Sequence, residues 1–162
     1  MNCQSLSYSV RSAYRDEWQE AMAVAWTTFL KYEAPDYTQE GIQNFREFIT
    51  DNTLYRMFIT GSYQMFVAIA GNKIVGMVTM RGTSHISLLF VDETYHKCGI
   101  ASALIQKLSE FLTEEVGGVQ RITVNAAPYA VGFYHKLGFC DLGEEMMKDG
   151  IIFTPMEKKL SK

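Results

Sequence analysis

The sequence predicts a mixed α/β (α+β) fold, a central mixed and mostly antiparallel sheet flanked by helices, with elements in the order βααβββαβαββ. Three observations carry that expectation. Apolar residues recur every three or four positions up to about Ile49, then alternate or run continuously from Gln64. A tight turn at Gly71-Asn72 joins MFVAIA to IVGMVTM as a hairpin. A helical stretch separates two strand-like runs, Val91 on one side and Ile122 on the other, as a crossover between neighbouring parallel strands requires.

The elements follow in order. A short strand around Ser7 to Arg11 comes first. Trp18, Ala21, Met22, Ala25, Phe29 and Leu30 then mark one face of a helix that ends before Pro35. Thr38 is a candidate N-cap for a second helix carrying Ile42, Phe45, Phe48 and Ile49. The connection between them, YEAPDYT, holds two acids among aromatics. After the hairpin, HISLLFV is apolar enough for burial on both faces. A helix over 98–115, the strand RITVN, a short helix from Ala130 to Leu137, and strands near Phe139 to Gly143 and Ile151 to Lys158 complete the order.

Composition narrows the function classes. A chain of 162 residues with 48% hydrophobic content and no internal repeat or linker suits one domain, 1–162. Its net charge of -3, without a basic block, argues against a nucleic-acid partner. No apolar run reaches the length of a membrane span, and the polar start MNCQSLSYSV lacks signal-peptide character, so a cytoplasmic location is expected. Cys3, Cys98 and Cys140 are odd in number and scattered, which predicts reduced thiols and no metal site. The oligomeric state stays open, a homodimer included.

The start of the 98–115 helix poses a chemical question. The first four N–H groups of a helix lack internal partners, and the peptide dipoles add partial positive charge there. The residues available are His96, Lys97, Cys98 and Gly99, none a strong capping side chain, and the first turn holds no acid. An external anion answers the need. Gly99 lets backbone approach it, Ile100 anchors the turn, Ala101 leaves room, and Lys97 and His96 add donors. Neither GxGxxG after a strand nor GxxxxGK[ST] occurs, so the dinucleotide fingerprint and the P-loop are excluded.

VDETYHKCGIASALI resembles the coenzyme-A-binding segment of the GCN5-related N-acetyltransferase (GNAT) family, whose signature is Q/R-x-x-G-x-G/A. NAAPYAVGFYHKLGF, from Asn125 to Phe139, resembles the family's second signature, and TPMEKKL its last strand. The resemblance spans about 64–160. It implies acetyl-CoA as donor and an amine of a small molecule or peptide as acceptor. By position it implies that Leu89, Phe90 and Val91 expose backbone to the pantetheine arm. His96, Lys97, Cys98, Gly99, Ile100 and Ala101 would wrap the pyrophosphate, with Ser102 close behind. Asn125 would bond the pantetheine, and Phe133 and Tyr134 would lie along the thiol end, Tyr134 as the acid that protonates the leaving thiolate. His96 departs from the family's Gln or Arg, yet a His ring still donates one hydrogen bond, so weaker cofactor binding is expected. Cys98 is a further departure, either a passive small residue or a thiol acidified beside Lys97. His85, opening the central strand near where histone-type members carry a catalytic carboxylate, is a candidate base. Glu33 and Asp36 are its rivals and, with Trp26, Tyr32 and Tyr37 nearby, hint at a cationic acceptor. The alternative to an enzyme is a degenerate module that binds coenzyme A and regulates a partner.

Overall fold

The structure is a computed structural model that describes residues 3–160. It contains the expected mixed sheet, with helices on both faces and two elements beyond the expected order. Strand β1 (Ser9–Ser12) precedes α1 (Trp18–Tyr32), α2 (Gln39–Ile49) and α3 (Asn52–Ile59). The hairpin β2 (Gln64–Ala70) and β3 (Lys73–Arg81) leads to β4 (His85–Val91) and α4 (Ile100–Glu110). Then come β5 (Arg121–Ala126), α5 (Val131–Lys136), β6 (Cys140–Asp141), β7 (Met146–Lys148) and β8 (Ile151–Lys159).

Local chemistry explains the helix boundaries. Trp18, Ala21, Met22, Ala25 and Phe29 bury one face of α1, and Thr38 caps α2 by accepting the Gly41 N–H at 3.1 Å. The sequence reading missed α3, whose eight residues are too few for the spacing of Leu54 and Phe58 to establish a period. Its local signal is Asp51, whose carboxylate accepts the Thr53 N–H at 2.7 Å. Helix α4 starts at Ile100, two residues later than expected, and its last turn continues as a π-helical segment over Phe111–Val116.

The sheet runs β1-β2-β3-β4-β5-β8-β6, with β7 paired to β8. All pairs are antiparallel except β4–β5. Helix α4 covers one face with Ile100, Leu104, Ile105 and Leu108, while Trp18, Phe29 and Phe45 from α1 and α2 cover the other. Strand β4 feeds both cores because its side chains alternate between the faces, and its register against β3 slips between Ile86 and Leu88. Such a bulge breaks the alternation of a strand. Ile86, Leu89 and Val91 therefore pack towards α4, and Leu88 and Phe90 towards α1 and α2.

The cysteines correct the sequence expectation. Cys3 and Cys98 form a disulfide across a sequence separation of 95, leaving Cys140 exposed and free. Only the fold brings such distant residues to a Cα separation of 5.4 Å. Cys98 therefore has no thiol to acidify. Alkylation of the denatured, unreduced protein should label one cysteine, Cys140, and labelling after reduction should reach all three by mass.

Candidate functional site

The parallel pair is the origin of the site. Strands β4 and β5 pair only at His85 with Thr123 and Ile86 with Val124, then diverge. Their separation opens a cleft of about 1190 Å³ that passes from the start of α4 to the turn between β7 and β8. Open parallel strands followed by a helix commonly hold ligands at their carboxyl ends.

At one end lies the loop before α4. Lys97 and Gly99 both take left-handed backbone, φ 62° and 82°, and no side chain caps the helix. No heavy atom comes within 4 Å of a Cβ built at Gly99, so backbone there is open to a ligand. Lys97, Gly99, Ile100, Ala101 and Ser102 line the cleft; Cys98 does not. His96 lines it too, but its Nε2–H donates inward to the Val91 carbonyl at 2.6 Å. The acceptor is a carbonyl, so Nε2 carries the proton. That donor, expected to meet a pyrophosphate, instead ties the loop to the end of β4. The ring also packs on Tyr32, which stacks on Tyr129.

The middle of the cleft is walled by Leu89, Phe90, Val91, Asn125, Phe133 and Tyr134. Asn125 stands near the end of β5, an exposed residue between buried Val124 and Ala126. Tyr134 is 4% exposed, packed between Phe133 and Phe139. Burial first, then the charge of Glu33, raises its phenol well above the usual range. At neutral pH it holds its proton.

Glu33, at the C-terminal end of α1, faces the same space. Its carboxylate accepts the Tyr37 hydroxyl at 3.1 Å, yet burial prevails and pushes its pKa up to about 7. Asp36, by contrast, is exposed and outside the cleft, which removes it from the candidate acceptor site. Trp26 also lies away, stacked on Phe29 and Phe45. His85 lines the cleft where β4 and β5 meet, with Nδ1 2.8 Å from Thr123 Oγ1. Burial, then the Arg81 charge, lowers its pKa.

Sequence reasoning missed most of the far end: Asn44, Phe45, Phe48, Arg81, Lys148 and Phe153. A clamp closes it. The Asn44 side chain donates to the Asp149 carbonyl at 3.2 Å and the Thr38 N–H to the Gly150 carbonyl at 3.2 Å. A Cβ on Gly41 would meet Gly150 backbone, so this approach needs glycine at both positions. Among the described residues, no group of three His, Cys, Asp or Glu side chains could hold a metal, and no helix is long and apolar enough to cross a membrane.

A sheet split at its parallel pair, with an uncapped helix at one mouth and a buried phenol midway, defines an acetyltransferase class of fold. The family model for the acetyltransferase (GNAT) domain matches residues 33–160, and the chain belongs to that family. A Bacillus subtilis (strain 168) protein provisionally named an acetyltransferase is 27% identical over 136 residues, covering 82% of this chain and 88% of its own. Among solved structures, the GCN5-related N-acetyltransferase of Rhodopseudomonas palustris shares the fold with a TM-score of 0.80 at 21% identity, covering 96% of this chain and 98% of that one. The PaiA N-acetyltransferase of Thermoplasma acidophilum, solved with coenzyme A, gives 0.77 at 19% identity, covering 95% and 99%.

Proposed function

We propose that the chain is an acetyl-CoA-dependent N-acetyltransferase that passes an acetyl group directly from the thioester to a primary amine. The observation that carries this is one continuous cleft linking an anion-ready helix start to a protonated phenol and a carboxyl poised near pH 7. The residues fit coenzyme A. Lys97 and the N–H groups of Gly99, Ile100, Ala101 and Ser102 would hold the pyrophosphate, and the unpaired stretch of β4 and Asn125 would hold the pantetheine.

The chemistry follows from the groups along the cleft. Acetyl-CoA would supply an activated acyl thioester when bound. Glu33, ionised above its raised pKa, takes the proton that makes the amine nucleophilic. The amine attacks the carbonyl carbon, a C–N bond forms, and a backbone N–H of β4 stabilises the oxyanion. As the C–S bond breaks, Tyr134 gives its proton to the leaving sulfur, and the second proton lost by the acylated nitrogen restores the phenol through solvent. His85, beside Arg81 at the acceptor end, is kept neutral by burial and is the rival base.

Two observations favour a second reading, a module that binds coenzyme A without turnover: the inward hydrogen bond of His96 and the disulfide of Cys98. Thiol release from acetyl-CoA with a broad amine panel, beside calorimetry with coenzyme A, separates the two. Amine-dependent release establishes the enzyme; binding without release establishes the module. The cofactor assignment has its own check. Gly99→Asp should weaken coenzyme A binding at least about tenfold by setting a carboxylate against the pyrophosphate, with circular dichroism unchanged. A folded variant of full affinity would remove the helix start from the site.

A further inference from the structure

The far end of the cleft carries charge that neither the cofactor nor the proton transfers use. Arg81 closes β3 and Lys148 closes β7; both line the cleft and both are exposed. Among the described residues neither takes part in an ion pair, the cationic partners being Arg11, Lys31, Lys73 and Arg121. Asp149 follows Lys148 in the turn, and Arg81 lines the cleft beside His85. Glu33, at the end of α1, is the other acid that lines the cleft.

The two charges are separated. Glu33 acts on Tyr37, Tyr129 and Tyr134, whereas Arg81 acts on His85 and Tyr63. Among the described residues no ion pair joins Glu33 to Arg81 or Lys148. The wall near Lys148 and α2 is apolar, made by Phe45, Phe48, Ile151 and Phe153. An acceptor that matches these groups has an amine at one end, an apolar body and an anion at the other. A dication such as a polyamine would set its second charge against Arg81 and Lys148.

We propose that the acceptor is an amine bearing a carboxylate at the far end of an apolar spacer, with Arg81 and Lys148 binding the carboxylate and Glu33 meeting the amine. This rests on the acetyltransferase reading above and assigns its substrate class. Arginine offers a planar pair of donors that suits a carboxylate, and lysine adds a point charge. The basic pair selects the acceptor and takes no part in proton transfer.

The test uses matched acceptors of one chain length: 6-aminohexanoate, hexylamine and hexane-1,6-diamine, with an apolar dipeptide and its C-terminal amide as a second pair. The acid of each set should have the higher kcat/KM, by about tenfold or more, with the difference mainly in KM. Arg81→Gln and Lys148→Gln should each shrink that preference ratio, while calorimetric affinity for coenzyme A stays at the wild-type value. Equal or better use of hexylamine or the diamine overturns the substrate assignment and leaves the acetyltransferase reading standing. A preference for the acids that both variants retain overturns the role of the basic pair. Binding of coenzyme A with no release for any amine, acid or not, overturns both readings together.

Discussion

Replacing Tyr134 by Phe should lower turnover by roughly 10²- to 10⁴-fold and leave affinity for acetyl-CoA nearly unchanged. The ring is buried between Phe133 and Phe139, so a phenyl group keeps the packing and only the hydroxyl is lost. Among the described residues no buried side-chain nitrogen or oxygen is left without a partner, and Tyr134 lines the cleft. Burial raises the phenol further above neutrality, which keeps the proton on Tyr134 and rules it out as a base at neutral pH. The effect should appear in single-turnover kinetics with a saturating acceptor, where product release does not mask the chemical step. Wild-type rates there would make Tyr134 a structural residue.

The two halves of the site differed in how far the sequence disclosed them. The cofactor half depends on backbone, and backbone needs leave local marks. A glycine with positive φ before a helix, no capping side chain, and a buried strand just upstream all lie within a dozen residues. The proposed acceptor half is assembled from Glu33, Phe45, Arg81, Lys148 and Phe153, which line the cleft from five elements or their ends. Only the insertion of β8 between β5 and β6, and the contact of α2 with the turn at Gly150, brings them together. Periodicity cannot report such an assembly. The family resemblance left Glu33 and Asp36 as equal candidates, and the fold separated them by turning Asp36 to solvent. The inward hydrogen bond of His96 was equally hidden, since nothing in the local motif says which way an imidazole turns.

Glu33→Gln should reduce turnover by about 10²-fold or more and change the pH profile, because the amide keeps the shape but cannot take a proton. In the wild type, the carboxyl's raised pKa places the rising limb of kcat near pH 7. An unperturbed carboxylate would place it nearer 4 to 5. His85, its pKa lowered by burial, would place the limb below about 6.5. The acceptor's own titration is common to wild type, Glu33→Gln and His85→Gln when one amine is used for all three. The limb near 7 should vanish in Glu33→Gln and persist in His85→Gln. The opposite result would make His85 the base. Stability supplies a second readout whose sign is set by the same shift. Glu33 binds its proton more tightly folded than unfolded, so between about 4.5 and about 7 the native state holds the extra proton. The wild type should therefore lose stability relative to Glu33→Gln as pH rises through that window, by up to about 3 kcal/mol, with the difference constant above it. Denaturant melts at pH 4.5, 6 and 8 would show this divergence. Parallel stability curves would mean that the carboxyl titrates as an ordinary surface acid and lacks the poise a base at neutral pH requires.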